Sequence, residues 1–111
     1  MFEAAWRLLP EPAEEWNAAL WILAAIADCH FLQGDFGSAH RVLVDAIRRA
    51  GGLANAFIHL RLGESELELG NEARAADELI RAYALAGLQA FEGEDPKYLA
   101  FLATRAELFD D

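Results

Sequence analysis

Apolar and polar positions alternate with helical spacing in several stretches of the chain, and short polar or glycine-containing breaks separate these stretches. The breaks are Pro10 to Pro12, Gly34-Asp35, Gly51-Gly52, Gly70-Asn71 and Glu94-Asp95-Pro96. Proline and glycine are common where a helix begins or ends. We therefore predict six helices, at about 3–9, 12–33, 36–50, 56–69, 72–89 and 96–109.

The residues at the breaks also predict how the helices begin and end. Gly34 and Gly70 can each close the helix before them, because glycine adopts the left-handed backbone conformation at little cost. Short polar side chains next to the breaks can accept hydrogen bonds from the first free N–H groups of the following helix. The predicted caps are Asp35, Asn55, Asn71 and Asp95. Because the loops are short, we expect successive helices to pack as antiparallel hairpins.

Composition supports an all-α fold in a single domain. Alanine and leucine supply 40 of the 111 residues, whereas valine, isoleucine and threonine together supply 8. Alanine and leucine favour helices, and β-branched residues favour strands. The longest apolar run, Ala18 to Ala27, is about half the length that a membrane helix needs. Acidic residues precede this run where a signal peptide would be basic, and Cys29 is the single cysteine, so we expect a cytoplasmic protein.

An internal repeat becomes visible when the chain is compared with itself. A shift of 36 residues lays the turn at 33–35 over the turn at 69–71, and it also aligns alanines and leucines in the helices that follow. The aligned helix pairs are Ala39 with Ala75, Leu43 with Leu79 and Ala46 with Ala82. A further shift of 40 residues lays the last predicted helix over the one that begins near residue 56.

The repeat resembles the tetratricopeptide repeat, in which large and small residues at fixed spacing let paired helices approach closely. The positions that carry the resemblance are Leu62, Gly63, Gly70, Ala75, Leu79 and Ala82. Glu66 departs from the pattern, because an aromatic residue is usual at its position. The resemblance implies one helical-repeat domain over 1–111, with a short helix at 1–9, hairpins at 12–50 and 55–89, and a closing helix at 95–109.

The chain also looks like small bacterial tetratricopeptide-like proteins that are found beside polymorphic toxins. This second resemblance rests mainly on Asn55 to Gly63 and on Glu94 to Leu102. It implies a role as an immunity protein, which binds a toxin and blocks it. The resemblance transfers no binding residues to this chain.

Charge narrows the class of partner. The formal net charge is −10, and residues 64–111 carry 12 acidic side chains against 4 basic ones. Such a field repels nucleic acid and anionic membrane surfaces and attracts a basic protein. The alternative interpretation is that acidity simply keeps an alanine-rich bundle in solution. The sequence leaves open whether the chain forms a homodimer.

Candidate chemistry is sparse, and we predict no enzymatic activity, no cofactor and no metal. His30, His40 and His59 lie on three different predicted helices, and none of the common metal or phosphate motifs occurs. A metal site formed by Asp28, His59 and Glu64 would require tertiary contacts to bring them together. Cys29 is flanked by apolar residues, which favours a packing role over a nucleophilic one.

One helix face is the best candidate for a binding surface. Glu64 and Glu68 are four residues apart, so both carboxylates lie on one side of the helix. They repel each other there, which a partner's arginine or lysine would relieve; the alternative is a merely solvated face. Alignment on the repeat places aromatic and acidic residues along the inner groove, where simple core packing is the alternative. The candidate partner-binding residues are Trp21, Asp28, Phe31, Phe57, Glu64 and Glu68.

These observations favour a non-enzymatic domain that sequesters a basic protein partner, such as a toxin domain or a peptide. The most specific form of this hypothesis is a bacterial toxin-immunity protein. The alternative is a chaperone or scaffold adaptor of the tetratricopeptide type, which would bind peptides mainly through apolar groove residues. The first hypothesis requires carboxylates that are not already paired with cations of the same chain.

Overall fold

The computed structural model describes residues 18–49 and 51–105 of the chain. Within these residues the protein consists of α helices joined by short turns, without β strands. The predicted helix at 3–9 and the end of the closing helix lie outside the described residues. We number the described helices α1 (Ala18–Leu32), α2 (Phe36–Arg48), α3 (Ala56–Glu68), α4 (Glu72–Ala86) and α5 (Pro96–Arg105), with a 3₁₀ helix at Gly87–Phe91 between α4 and α5.

The boundaries of α2 and α3 agree with prediction to within two residues, but the predicted helix at 72–89 is too long. The α helix ends at Ala86, because Gly87 has a φ of +66° and leaves the helical conformation. The chain then continues as the 3₁₀ helix to Phe91. This change of direction brings the loop at 92–95 back over α3.

Three predicted caps are confirmed as side-chain caps at helix starts: Asp35, Asn55 and Asp95, whose side chain accepts from the Lys97 amide at 3.0 Å. Asp35 accepts a hydrogen bond from the Ser38 amide at 3.1 Å, and Asn55 accepts one from the Ile58 amide at 3.1 Å. Asn71 occupies the N-cap position of α4, as predicted, but the predicted side-chain hydrogen bond to α4 is absent. The Asn71 amide group instead donates to Glu66 Oε1 at 2.8 Å, since the buried Glu66 carboxylate competes for it.

The two turns that align at a shift of 36 residues have the same backbone hydrogen bonds. In the first, the amides of Gly34 and Asp35 donate to Phe31 and His30 at 2.9 Å each. In the second, the amides of Gly70 and Asn71 donate to Leu67 and Glu66 at 3.0 and 2.8 Å. Both glycines have a φ above +80°, as the αL end of a helix requires. The sequence repeat is therefore also a repeat of local structure at these turns.

Burial follows the same repeat. The residues on α2 and α4 that align at this shift are all fully buried: Ala39 and Ala75, Leu43 and Leu79, Ala46 and Ala82. Gly63 of α3 lets α4 approach closely, because a Cβ built on it would lie 2.7 Å from Leu79 Cγ. The small residues of the pattern therefore serve close helix packing.

The core consists of two hydrophobic clusters that meet at α3. The first lies between α1, α2 and α3, and the second between α3, α4, the 3₁₀ helix and α5. Ile58 and Leu62 of α3 belong to the first cluster, Leu60 belongs to the second, and Phe57 packs against both. Helix α3 is thus the central element, and its buried face also carries the charged residues described below.

No described helix combines the length and the apolar character needed to cross a lipid bilayer.

Candidate functional site

Arg61 of α3 lies at the centre of a buried group of three carboxyl side chains. Its Nε lies 2.7 Å from Asp28 Oδ1, and its Nη1 lies 2.7 Å from both Glu64 Oε1 and Glu94 Oε1. Asp28 and Glu64 are 0 % exposed, and the Glu94 side chain is 16 % exposed. The site therefore holds one fixed positive charge against three acidic groups, almost entirely out of contact with water.

Three separate parts of the chain deliver these side chains. Arg61 and Glu64 are three residues apart on α3, which places them on one face of the helix. Asp28 comes from α1, which packs against the same face. Glu94 comes from the loop after the 3₁₀ helix, where Asp95 begins α5 by accepting from the Lys97 amide at 3.0 Å. Arg61 therefore ties α1 and the 92–95 loop to the central helix.

Two aromatic rings flank the Arg61 guanidinium. Its Cζ lies 4.5 Å from the centre of the Phe31 ring and 5.0 Å from the centre of the Phe57 ring. A desolvated guanidinium gains about 2 kcal/mol from such an aromatic face. The rings also exclude water, which strengthens the ionic contacts that Arg61 makes with its carboxyl partners.

Burial changes the protonation of the acidic groups. It raises the pKa of Asp28, and the charge of Arg61 partly offsets this effect. It raises the pKa of Glu64 to about 9, against the effect of Arg61 and with a further contribution from the adjacent Glu94 carboxyl. Burial thus favours the protonated form of Glu64. Burial also lowers the pKa of Arg61, but the nearby carboxyl groups outweigh this effect and raise it, so Arg61 stays charged.

A cleft of about 580 Å³ opens beside Arg61, between the α1–α2 turn and the segment 92–98. Arg61 and Phe31 form part of its wall, and Phe36 and Tyr98 add further aromatic surface. Phe36 meets the edge of Phe31, with ring centres 5.2 Å apart. Four carboxyl groups line this cleft together with Lys97: Glu68, Glu92, Glu94 and Asp95. The cleft thus combines aromatic walls with an acidic mouth.

Glu68 is held on this cleft by two contacts from α5. Its Oε2 accepts from the Tyr98 hydroxyl at 2.6 Å and pairs with Lys97 Nζ at 2.6 Å. Burial raises the pKa of Glu68, but the hydrogen bonds from Lys97 and Tyr98 outweigh it, so the pKa is lowered and Glu68 is ionised. Glu92 and Asp95 at the mouth are exposed, and the Glu92 side chain makes no ion pair with a described residue.

A second cleft, of about 350 Å³, lies on the other side of the 92–95 loop. It is lined by Phe57 and Leu60 of α3 together with Ala86, Gln89 and Ala90. Glu92 and Glu94 line both clefts. The loop that carries these two glutamates therefore covers Arg61 and separates the two openings.

The structure places the six predicted partner-binding residues in different environments. Trp21, Asp28 and Glu64 are buried, and the two carboxyl groups already pair with Arg61. Phe31, Phe57 and Glu68 are partly exposed, and Phe31 and Glu68 share the larger cleft. The predicted set therefore surrounds Arg61, but half of it lies below the surface of the molecule. None of the three predicted acids meets the requirement for unpaired carboxylates, because Asp28 and Glu64 pair with Arg61 and Glu68 pairs with Lys97.

The predicted separation of the three histidines is confirmed, since they lie on α1, α2 and α3. His40 Nε2 lies 2.7 Å from Glu66 Oε2, which Arg74 Nε approaches at 3.6 Å. His59 pairs with Glu78 and not with Asp28 or Glu64. Among residues 18–49 and 51–105, no cluster of three or more His, Cys, Asp or Glu side chains could hold a metal ion.

Sequence reasoning missed Arg61 and Glu94. A signal was present for Arg61, because it stands between Leu60 and Leu62 in a helix whose apolar residues face two sides. An arginine in such a position must pair when it is buried, and the carboxyl of Asp28 ends the longest apolar run of the chain. Glu94 carried no comparable signal, because only the 3₁₀ helix brings its loop over α3.

Comparison of the chain with known protein families, curated proteins and solved structures gives no match in any of the three.

Proposed function

We propose that the protein is a non-enzymatic binding domain that holds a basic protein partner at the cleft beside Arg61. The observation that carries this proposal is the acidic mouth of that cleft, where exposed Glu92 and Asp95 stand next to aromatic walls. Aromatic surface next to carboxylates suits arginine and lysine side chains, which pair with the charge and stack on the ring. The net charge of −10 would also speed the approach of a basic partner.

The proposal assigns different roles to the carboxyl groups. Asp28 and Glu64 hold Arg61 and with it the shape of the cleft, whereas Glu68, Glu92 and Asp95 meet the partner. Of the residues predicted from sequence, Phe31 and Glu68 remain as direct contacts, because they line this cleft and are partly exposed. A partner's cation at Glu68 would have to share or displace its present contact with Lys97. Trp21 and Phe57 support the binding surface through packing.

Two further parts of the proposal concern how the helices pack and what the partner is. We propose that the helices pack as antiparallel hairpins of the tetratricopeptide type, which the repeated turns and repeated burial on α2 and α4 support. We also propose that the partner is a toxin in the bacterial cytoplasm, so that this chain serves as its immunity protein. An acidic cleft suits this role, since toxins that act on nucleic acid carry basic surfaces.

A test of the proposal measures binding of an N-acetylated, amidated hexa-arginine peptide by calorimetry at several salt concentrations. We expect binding that weakens as salt rises, because screening reduces the attraction between exposed charges. Glu92→Lys should weaken binding about tenfold, since it reverses a charge at the cleft mouth. Asp77→Lys makes the same change in net charge on α4, away from the cleft, and should have a much smaller effect.

Equal weakening by Glu92→Lys and Asp77→Lys would show that the peptide responds to the overall field and not to this cleft. Absence of measurable binding to the unmodified protein at low salt would contradict the proposal as a whole.

A chaperone or scaffold adaptor is the second candidate, and a specific feature favours it. An apolar cleft of about 460 Å³ lies between the 3₁₀ helix and α5, lined mainly by Phe91, Pro96, Leu99 and two alanines. A peptide held there would bind through apolar contacts and would tolerate high salt. Binding of an uncharged leucine-rich peptide, unchanged by Glu92→Lys, would favour this candidate over the first.

A further inference from the structure

The contacts of Arg61 leave the buried site with more acceptor groups than donors. Glu64 Oε1 and Glu94 Oε1 both lie 2.7 Å from the same nitrogen, Arg61 Nη1, so the two carboxyl groups are within a few ångströms of each other. Among the described residues, Glu64 Oε2, both carboxyl oxygens of Asp28 and the Nε–H of Arg61 are buried without a hydrogen-bond partner, although Arg61 Nε lies 2.7 Å from Asp28 Oδ1. An acceptor oxygen left unpaired in the interior is costly, unless a proton or another cation satisfies it.

A proton on Glu64 removes one of the three negative charges from this arrangement. As an acid, Glu64 has an O–H that can donate to the neighbouring Glu94 carboxylate, which leaves two carboxylates around one guanidinium. Two carboxyl groups this close share a proton for the same reason in other proteins, because like charges cannot both be ionised in a buried site. The direction of the Glu64 pKa agrees with the geometry.

Glu94 connects this buried proton to the surface. Its side chain is partly exposed and lines the cleft, while its Oε1 contacts Arg61 inside the site. A cation that pairs with Glu94 from the cleft would place a second positive charge near Glu64. The added positive charge would favour the ionised form of Glu64 and so lower its pKa.

We propose that Glu64 carries a proton in the free protein and releases it to solvent when an arginine side chain of the partner pairs with Glu94 in the cleft. The inference rests on the proposed function, since it names the side chain that enters the cleft and the response of the buried site. In this step the Glu64 O–H bond breaks, the proton passes to the buffer, and the incoming guanidinium replaces its positive charge. Partner binding is thus linked to pH.

The other charged and titratable groups near Glu64 do not account for the proton that we expect to be released on partner binding. Asp28 of α1 adds negative charge and favours the protonated form, whereas Arg61 on the same helix favours the ionised form. Lys97 and Tyr98 of α5 also interact with Glu64, and Lys97 stays charged because its contact with Glu68 raises its pKa. The pKa of Tyr98 is raised as well, so its hydroxyl stays neutral over the pH range of interest.

The test measures proton release directly. The acetylated, amidated hexa-arginine peptide is titrated into the protein at about pH 8 in two buffers of different ionisation enthalpy, because a difference in heat reports protons released. We expect the release of about half a proton or more per peptide, and an affinity that rises about tenfold between about pH 7 and pH 9. Arginine does not titrate in this range, so the peptide itself contributes no protons.

Two matched variants separate Glu64 from the rest of the cleft. Glu64→Gln imitates the neutral acid, so it should bind the peptide with equal heats in both buffers and an affinity independent of pH. Glu68→Gln removes a carboxylate that is already ionised in the free protein, so it should weaken binding but retain proton release. Infrared spectra of the free protein give a second readout, in which the band of a buried protonated carboxyl should disappear in Glu64→Gln.

The outcomes of this experiment distinguish the two proposals. Peptide binding with equal heats in both buffers for the unmodified protein would overturn proton release and leave the binding function intact. A free protein without the protonated carboxyl band of Glu64 would overturn it independently of any peptide. Failure of the unmodified protein to bind the peptide would overturn both proposals.

Discussion

Arg61 neutralises buried carboxylates that would otherwise lack a cation. We therefore expect stability to depend on Arg61 more than on any other residue of the site. Replacing it with methionine keeps an unbranched apolar stem but leaves Asp28 and Glu94 without their cation. We expect Arg61→Met to lower the free energy of unfolding by about 3–5 kcal/mol, as is typical when one member of a buried ion pair is removed. Urea denaturation followed by circular dichroism measures the change.

The reason for this loss of stability can be tested by also removing the charge of Asp28, which then lacks a cation. If uncompensated charge is the cause, adding Asp28→Asn to Arg61→Met should recover part of the stability. A double variant that is as unstable as the sum of both single changes would show instead that Arg61 acts mainly through its packing on Phe31 and Phe57.

Gly63 is constrained by space and not by backbone conformation. A methyl group at this position would lie 2.7 and 2.8 Å from the Leu79 side chain and 3.1 Å from its backbone nitrogen. Helices α3 and α4 would have to separate, so we expect Gly63→Ala to destabilise the protein by about 1–3 kcal/mol despite the better helix propensity of alanine. Chemical denaturation of the variant checks this value.

Gly37 provides the matched control on α2. A Cβ added there would meet only the tip of Arg41, at 3.9 Å. Gly37→Ala should therefore gain stability, by up to about 1 kcal/mol, from helix propensity alone. Destabilisation of both variants by similar amounts would contradict the steric explanation for Gly63.

At the level of elements, a buried histidine joins the 51–55 turn to α4. His59 Nδ1 lies 2.6 Å from Glu78 Oε1, and His59 Nε2 lies 2.8 Å from the Leu53 carbonyl oxygen. Both partners are acceptors, so both ring nitrogens must carry a proton for the two hydrogen bonds to form together. Burial lowers the pKa of His59, but these hydrogen bonds outweigh it and raise the pKa above its ordinary value of 6.5.

The direction of this shift predicts a pH dependence of stability. Because the folded state binds the His59 proton more tightly than the unfolded state, the stabilisation is complete below pH 6.5 and is lost as pH rises through the higher pKa of the folded protein. We expect the free energy of unfolding to fall over this range in the unmodified protein. Denaturation curves at a series of pH values measure the fall.

His59→Gln is the control, since glutamine does not titrate and any other group that titrates in this range contributes to both proteins. The difference in stability between the two proteins should shrink as pH rises. A difference that is constant or grows with pH would show that His59 is neutral in the folded state.

The elements were largely predictable because their ends depend on local chemistry. Asp35 and Asn55 cap their helices as the sequence indicates, since a cap needs only the next three residues. Asn71 was not predictable in this way, because the buried carboxylate of Glu66 binds its side chain instead. The end of α4 at Ala86 was missed as well, since Gly87 could have been accommodated within a longer helix.

The site was predictable only in part. The spacing of Glu64 and Glu68 placed both on one face of α3, and the repeat placed Asp28 and Phe31 nearby. Helical periodicity does not reveal how deep such a face is buried, or which cation of the same chain reaches it. Arg61 and Glu94 are 33 residues apart, and their contact depends on the path of the chain between them.

At the level of the whole molecule, α3 connects what would otherwise be two separate units. It contributes residues to both hydrophobic clusters. Arg61 of α3 also pairs with Asp28 of α1 and with Glu94 of the loop that precedes α5. Neither cluster can keep its core if α3 unfolds. The formal net charge of −10 opposes compactness throughout, so these shared contacts also offset long-range repulsion.

This arrangement predicts a single cooperative unfolding transition. Amide exchange followed by NMR should give similar opening free energies for the core amides of α2 and α4, because each helix packs on α3. Gly63→Ala disturbs only the contact with α4, yet it should lower the opening free energy of buried α2 amides, such as that of Leu43, by the same amount. Loss of protection confined to α4 would contradict this prediction, because it would mean that the two clusters unfold independently and that α3 remains folded with α1 and α2.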